Sequence, residues 1–372
     1  MGATIVIPAD SPSDKVVVEL TGPSVKAMEA KEAVLQIRTE KAAYTLTASQ
    51  IDLDAVSRQL GAQAALQDIK VGITIAKPAD EVVKQMQDIA GQKGYRIVAQ
   101  PVAFKITASS GSGAVEISSF NGYVERSLLL EEGADPGRLA TGVVFHEDGS
   151  FSPVPTRTAV VDGKAYAKIN SLTNSIYAAV YSSKTFTDIA SHWAKDAIGD
   201  LGARLVVDGS GDGRFEPDRE MTRAEFAAIL VKGLGIARPG AGTDVFEDVT
   251  GDSWYYDAVA LAHAYGIIDG YGDGSFGPSD TITREQAMTM TAKAMQITGL
   301  KDELTKDEAE LLLAGFEDAG DASDYARGSI ASSLKAGIIS GRNGTTLAPK
   351  DPITRAEVAV IVQRLLKQSG LI

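Results

Sequence analysis

The 372-residue chain has no cysteine and only three histidines. Without cysteine the chain cannot form disulfides, zinc–thiolate sites or a thiol nucleophile. The histidines His146, His192 and His263 are far apart and match no metal-ligand or nucleophile pattern, so we interpret them as ordinary surface or partly buried side chains. The sequence also contains no P-loop and no dinucleotide-binding glycine motif after a strand. We therefore expect no metal site and no cofactor.

Long apolar runs and an excess of basic residues are also missing. No apolar run approaches 18 residues, which predicts that the chain does not span a membrane. No basic-then-apolar leader follows Met1, which is typical of a cytoplasmic protein or of a segment from a longer exported chain. The net charge is −13: residues 1–183 carry 17 basic and 20 acidic side chains, and the remainder carries 19 and 29. The acidic second half argues against a nucleic-acid partner.

A sequence repeat occupies the second half of the chain. Trp193, Trp254 and Tyr325 align without gaps, and an F-x-D segment lies upstream of each. A glycine follows 16 residues later and a proline follows 24 residues later in every copy. A threonine follows 29 residues later and opens the segments T-R-A-E, T-R-E-Q and T-R-A-E. The Phe-to-Phe spacing is 60 and then 70, so the length varies only in the linkers.

Each copy is predicted to form a helix, a loop and a second helix. We expect the first helix to begin near Ser191, Asp252 or Ser323, which are favourable N-cap residues. An apolar pair and a loop rich in Gly and Asp follow it. The second helix is expected to begin at the threonine with a capping box: Thr222 with Glu225, Thr283 with Gln286, and Thr354 with Glu357. One unit cannot bury both of its helix faces, whereas three units packed around a common axis can.

Together, the F-x-D, Trp, G-x-G-D-G-x-F-x-P and T-R-A-E motifs resemble the S-layer homology (SLH) domain of Gram-positive bacterial surface proteins. The resemblance covers about Phe186 to Leu371. It implies an all-α pseudo-threefold bundle whose grooves between copies bind secondary cell-wall polysaccharide, often through a terminal pyruvylated N-acetylmannosamine. The carbohydrate-binding residues that it implies are Trp193, Gly209, Arg223, Asp252, Trp254, Gly270, Arg284, Tyr325, Gly341 and Arg355.

Three departures from the motif predict that the grooves are not equivalent. Tyr325 replaces tryptophan, and the third loop reads S-G-R-N-G-T-T-L instead of containing G-D-G-x-F. Leu205 stands where Gly266 and Gly337 stand in the other copies. We expect the third groove to differ from the others and one groove to be weak or empty.

Several motif residues have more than one interpretation. A cation at the first position of a helix gains nothing from the helix dipole, so the T-R-A-E arginines contact a ligand, form salt bridges between repeats, or are simply exposed. The tryptophans are either core anchors or walls on which a sugar stacks. The D-G-S-G-D-G loop matches the start of an EF-hand, but Arg219 stands where the terminal glutamate is required. This disfavours calcium binding and a dockerin module.

Residues 1–183 are predicted to form a β-rich α+β domain. Helices are expected at 52–60, with Ser49 as a candidate cap, and at 79–90; Asp148-Gly149 and Asp162-Gly163 indicate hairpin turns. This half is similar to the accessory region upstream of SLH triplets. The expected strands are 4–7, 16–20, 34–37, 44–47, 71–75, 102–106, 115–117, 143–145, 158–161, 165–169 and 176–181.

The sequence thus predicts an α+β chain with an accessory domain at 1–183 and SLH repeats at 184–236, 244–300 and 314–372. We expect a non-catalytic, extracellular anchor that binds a pyruvylated wall glycan, binds neither nucleic acid nor membrane, and self-associates in an S-layer. Two alternatives remain. Paired carboxylates in one cleft of the first half would favour a surface glycoside hydrolase. A large exposed apolar patch there would favour an adhesin.

Overall fold

The computed structural model describes residues 2–9, 13–61, 64–146, 148–236, 245–300 and 303–372. The chain forms two compact units, Met1–Ser182 and Ser183–Ile372. The first is rich in β-strands and the second is helical, so the α+β prediction is confirmed. None of the helices within these described ranges is both long and apolar enough to cross a bilayer.

The N-terminal unit contains two sheets. The first has the strand order β1-β3-β4-β8-β12-β11, and the second has the order β10-β9-β13-β6-β5-β2, with β7 paired to β6. All strand pairs are antiparallel except β1 with β3. The strands are β1 Thr4–Pro8, β2 Lys15–Thr21, β3 Val34–Arg38, β4 Ala42–Thr47, β5 Lys70–Ala76, β6 Arg96–Ser110, β7 Gly113–Ile117, β8 Ser119–Leu129, β9 Thr141–Phe145, β10 Phe151–Val154, β11 Thr156–Val161, β12 Lys164–Thr173 and β13 Ile176–Tyr181.

Arg126 lies fully buried in the core between these sheets. Its guanidinium carbon is 5.1 Å from the centre of the Tyr44 ring and 4.7 Å from that of Tyr177. The terminal nitrogens donate to the carbonyl oxygens of Val124 at 2.7 Å and Thr173 at 2.5 Å. Backbone oxygens and aromatic faces therefore replace water around this charge.

Two strands and one helix of this unit were not predicted from the sequence. Strand β8 contains Asn, Gly, Glu and Arg, which disfavour strands, but it pairs with β4 on one side and β12 on the other, and this pairing outweighs its propensity. Strand β10 and helix α1, Gly22–Glu29, were also missed. The predicted helices are α2 Leu53–Leu60 and α3 Asp80–Gln92. The proposed cap at Ser49 is wrong, because Asp52 caps α2 by accepting from the Ala55 N–H at 2.8 Å.

The C-terminal unit is a ring of three helix–loop–helix copies. The first helices are α4 Lys195–Ala203, α6 Tyr256–Ala264 and α9 Asp324–Lys335, and the second helices are α5 Arg223–Gly233, α7 Arg284–Thr298 and α10 Arg355–Gln368. Each first helix packs on the second helix of the preceding copy: α6 on α5, α9 on α7, and α4 on α10. The ten extra residues between the second and third copies contribute α8, Lys306–Leu313, which packs on α9.

A cycle of three backbone hydrogen bonds joins the copies where the second helices begin. Met221 N–H donates to Ile353 O at 3.1 Å, Ile353 N–H to Ile282 O at 3.1 Å, and Ile282 N–H to Met221 O at 3.0 Å. All three side chains are completely buried. The cycle lies at the common axis that the repeat predicts.

The predicted starts of two first helices are wrong. Helix α4 begins at Lys195 and α6 at Tyr256, whereas only α9 begins directly after its expected cap, Ser323. In the first copy, successive tight turns precede the helix: His192 N–H donates to Ile189 O and Lys195 N–H donates to His192 O, both at 3.0 Å. Trp193 therefore lies in a turn rather than in the first turn of a helix.

Candidate functional site: three grooves between copies

The T-R-A-E segments place an arginine at the first residue of each second helix. All three capping boxes are present, which confirms that prediction. Each arginine reaches the loop of the next copy, where its Nε donates to a backbone carbonyl at 2.8 Å. The pairs are Arg223 with Phe276, Arg284 with Leu347, and Arg355 with Phe215.

The aspartate of each F-x-D segment holds the same loop from the other side. Asp188 accepts from the N–H groups of Phe215 at 2.8 Å and Glu216 at 2.7 Å. Asp248 and Asp318 bind the corresponding loop residues of their own copies at 2.7–2.8 Å. One loop residue therefore donates to the aspartate of its own copy and accepts from the arginine of the preceding copy. This role of the aspartate was not predicted, although the spacing from F-x-D to the loop is nearly constant in the three copies.

Three grooves result, and we name each after its arginine. The Arg284 groove is a cleft of about 430 Å³ whose lining includes Trp193 from the first copy and Gly341 and Glu357 from the third. Each groove thus combines an arginine from one copy, the loop and second helix of the next, and an aromatic residue from the remaining copy. Tyr325 of the third copy lies close enough to Arg223 for the two to interact electrostatically, and the packing of α6 on α5 predicts the equivalent position for Trp254, beside the Arg355 groove.

The aromatic residues at these positions are exposed. The exposed fractions are 65% for Trp193, 69% for Trp254 and 58% for Tyr325, so the core-anchor interpretation is wrong. The Tyr325 hydroxyl donates to Glu285 Oε1 at 3.1 Å, and burial together with this carboxylate raises the Tyr325 pKa to about 12. The rings are available to a ligand.

The arginines themselves are buried but have different partners. Arg284 forms an ion pair with Glu357 at 2.8 Å, and Arg342 binds the same carboxylate oxygen at 2.8 Å. Burial alone would raise the pKa of Glu357, but these two arginines outweigh it and lower that pKa. The salt-bridge interpretation therefore holds for Arg284.

Arg223 is not paired in this way. Gln286 stands where Glu357 stands in the third copy, and no carboxylate of the described residues lies within ion-pairing distance of Arg223. Its guanidinium lies 4.4 Å from the Tyr271 ring centre and 4.8 Å from that of Phe276. The second copy carries its acid one residue earlier, at Glu285, which is buried and held by Lys350 at 2.7 Å.

Arg355 is intermediate between these two. Its second terminal nitrogen donates to Asp208 O at 2.7 Å, and its guanidinium lies 4.4 Å from the Phe215 ring centre. The nearby Glu225 carboxylate is bound by Arg219 at 2.5 Å.

The loop glycines have a packing role of their own. A Cβ at Gly270 would lie 2.5 Å from the Phe246 ring and from Ser275 O, and one at Gly341 would lie 2.5 Å from the Phe316 ring. A Cβ at Gly209 would lie 2.6 Å from Arg214 O. The atoms that approach these glycines closely therefore belong to the protein itself.

Asp252 is exposed, and its carboxylate accepts a hydrogen bond from the Thr250 hydroxyl at 2.5 Å.

The departures of the third copy do not fall in one groove. Tyr325 borders the Arg223 groove, whereas the altered loop at 341–347 lines the Arg284 groove, so these departures make two grooves differ and not one. Leu205 adopts φ +63°, close to the +68° of Gly266 and Gly337. The first copy therefore keeps the same left-handed backbone with a leucine side chain.

Within the described part of the chain, no group of three or more His, Asp or Glu side chains could hold a metal ion. The N-terminal unit has a cleft of about 580 Å³ whose lining includes Asp14, Glu40, Glu131 and Glu132. Glu131 accepts from Gln100 Nε2 at 3.0 Å and lies 3.8 Å from Arg96.

The family model for the S-layer homology domain matches residues 185–227, 245–288 and 315–359. The C-terminal unit is therefore built from three S-layer homology domains, and the protein is an extracellular component of the bacterial cell wall or S-layer. The S-layer homology domain is a non-catalytic module that binds cell-wall polymers.

Several known proteins share long segments with this chain. An amylopullulanase of Thermoanaerobacterium thermosulfurigenes is 37% identical over 71% of this chain, and an exoglucanase of Acetivibrio thermocellus is 34% identical over 68%. These segments are longer than the C-terminal unit, so they extend into the β-rich unit. A surface-layer 125 kDa protein of Lysinibacillus sphaericus is 33% identical over 48%. The matched segments make up only 14%, 22% and 14% of these relatives.

Proposed function

We propose that the C-terminal unit anchors this chain to a secondary cell-wall polysaccharide by holding its terminal pyruvylated N-acetylmannosamine in the grooves between copies. The observation that carries the proposal is the repeated arrangement of an arginine at a helix N-terminus close to an exposed aromatic ring. In this proposal Trp193, Trp254 and Tyr325 are the walls for the sugar, and Arg223 and Arg355 are the donors to the anion.

The charge distribution favours short-range recognition. The second half of the chain is strongly acidic, so it repels a polyanion at a distance. A pyruvyl acetal presents one carboxylate on a rigid sugar, and a guanidinium can donate two parallel hydrogen bonds to it. The first-turn N–H groups are already engaged, since Arg223 N–H donates to Asp280 O and Ala224 N–H to Pro278 O, so the helix beneath the arginine contributes only its positive dipole.

Arg223 is the T-R-A-E arginine best suited to this role. It has no carboxylate partner in the described residues, and two aromatic rings fix its side chain. Arg284 is already neutralised by Glu357, so its main role is to join the second and third copies. Of the three arginines that the resemblance implies, Arg223 is therefore the main contact proposed for the anion.

We further propose that the chain itself is not an enzyme. The N-terminal cleft contains several carboxylates, but Glu131 is engaged by Gln100 and lies near Arg96, and Lys41 and Lys77 also line the cleft.

The adhesin alternative would be favoured by a large exposed apolar patch. The exposed pairs Ile5–Val6 and Val160–Val161 lie on β1 and β11, at opposite edges of one sheet, and so do not form one patch.

The test is isothermal titration of the full chain with purified wall polysaccharide, intact and after removal of pyruvate. Arg223→Ala should weaken binding in the Arg223 groove alone about 10- to 150-fold and so remove one class of sites from the isotherm, because a charge-assisted pair contributes roughly 1.5–3 kcal/mol. Arg223→Lys should restore only part of this loss, because lysine lacks the planar fork.

Two further variants complete the comparison. Arg284→Ala should lower the melting temperature, because it leaves a buried carboxylate with one fewer partner. The exposed Arg58, in the N-terminal unit, provides the control Arg58→Ala, which should change neither property. Wild-type chain that binds both polymers equally, or Arg223→Ala that binds as wild type, would contradict the proposal.

A further inference from the structure

One acid–base pair recurs in two copies and is absent from the third. Lys232, on the second helix of the first copy, bonds to Asp208 of its own loop at 2.8 Å. Lys293 bonds to Asp269 in the same way. The equivalent residues of the third copy are Arg364 and Ser340, so the cation remains but the acid is gone.

Arg364 consequently has an uncompensated charge. Its Nη1 donates to Ser340 Oγ at 3.4 Å, and no carboxylate of the described ranges lies within ion-pairing distance of it. The side chain is half-buried and lines the 430 Å³ cleft together with Trp193 and Gly341.

The other cations of that cleft are already satisfied. Arg284 is paired with Glu357, and Arg342 binds both Glu357 and Asp351 at 2.7–2.8 Å. Binding an anion at either one would require it to displace a buried or partly buried carboxylate. Arg364 requires no such displacement, because its protein partner is a neutral hydroxyl.

We propose that in the Arg284 groove the anionic substituent of the bound sugar is received by Arg364 and not by Arg284, while Trp193 covers the sugar face. This inference rests on the proposed function. The chemistry fits a carboxylate or a phosphate carried on a sugar, since both accept two hydrogen bonds from one guanidinium. The replacement of aspartate by Ser340 is the feature that makes this groove selective for an anion.

Trp193 provides a local reporter. The chain has two tryptophans, so in a Trp254→Phe background the fluorescence reports only on the Trp193 cleft. The probes are the methyl glycosides of pyruvylated N-acetylmannosamine, N-acetylmannosamine 6-phosphate and unsubstituted N-acetylmannosamine. The wild-type cleft should bind at least one anionic probe more tightly than the neutral one, and the comparison shows which anion it prefers.

Two substitutions test the role of Arg364. Arg364→Ala should weaken binding of the preferred anionic probe about tenfold or more and leave the neutral probe unchanged. Ser340→Asp should have the same effect with Arg364 still present, because it restores the acid that the other copies carry, and it should fold because those copies tolerate it. Ser340→Asn should retain binding.

The matched control is Lys293→Ala, at the equivalent position of the second copy, which should leave the Trp193 titration unchanged. Equal affinities in wild type and Arg364→Ala, or an equal loss in Lys293→Ala, would overturn the inference. Failure of the wild-type chain to bind intact wall polysaccharide would instead overturn the proposed function.

Discussion

The loop glycines allow the packing of the repeat to be tested separately from its binding. Gly272 and Gly270 both have positive φ, at +82° and +66°. A Cβ added at Gly272 would meet nothing within 4 Å, whereas one at Gly270 would lie 2.5 Å from the Phe246 ring and from Ser275 O. Gly341 shares the close ring contact but does not have a positive φ.

These differences determine the expected free energies of unfolding. Gly272→Ala should cost only the left-handed strain, about 1–2 kcal/mol. Gly341→Ala should cost only the overpacking, about 1–3 kcal/mol, and Gly270→Ala should cost both, roughly 2–5 kcal/mol. For a unit of this size each kcal/mol lowers the melting temperature by roughly 2–4 °C.

Differential scanning calorimetry of the full chain, following the transition of the C-terminal unit, measures these shifts. Glycan binding of Gly270→Ala should be close to that of wild type well below its lowered melting temperature. If Gly270→Ala melts no lower than Gly272→Ala, the packing role assigned to Gly270 is wrong. If it loses binding without losing stability, the glycine acts by admitting the ligand.

Two further predictions concern assembly and pH. A fragment spanning 184–372 should show a cooperative unfolding transition by circular dichroism. Removal of 303–372 should abolish that transition in the two remaining copies, because α4 loses its partner α10 and α7 loses its partner α9. A two-copy fragment that unfolds cooperatively would contradict this prediction. Burial opposes ionisation of Asp208, but Lys232 and Lys184 outweigh it and hold its pKa at about 2. Because its unfolded pKa is higher, about 3.9, Asp208 stabilises the fold above pH ~4 and this contribution disappears as the pH falls towards 2. Asp208→Asn should therefore be less stable than wild type at pH 5, and the difference should shrink towards pH 2; an equal difference at both pH values would contradict the assignment.

Local features of the fold could be predicted from the sequence, because their partners are close in the chain. The capping boxes join residues only three positions apart, so the start of each second helix was predictable. The starts at Ser191 and Asp252 were not predictable in the same way, because a residue suited to capping also suits the turns that form there.

The roles of the arginines could not be predicted, because their partners are distant in sequence. Arg223 binds a carbonyl 53 residues away, and Arg355 binds one 140 residues away. The repeat alignment identified the arginines but did not show which copies pack against each other. It therefore could not predict that Gln286 and Tyr325 both lie near Arg223. The pairing of Asp208 with Lys232 could have been predicted, because the same spacing recurs between Asp269 and Lys293. In the third copy Ser340 replaces the aspartate, and this difference would have indicated that Arg364 lacks an acidic partner.

The cycle of backbone hydrogen bonds through Met221, Ile282 and Ile353 determines which grooves a substitution in one copy affects. Because the third copy closes onto the first, the ring accommodates three copies, and every groove draws on all of them. A substitution in the loop or second helix of one copy therefore acts in the groove of the preceding copy's arginine, as Gln286 does for Arg223. The unit on which selection acts is the groove and not the repeat, so an exchanged repeat alters all three recognition surfaces at once.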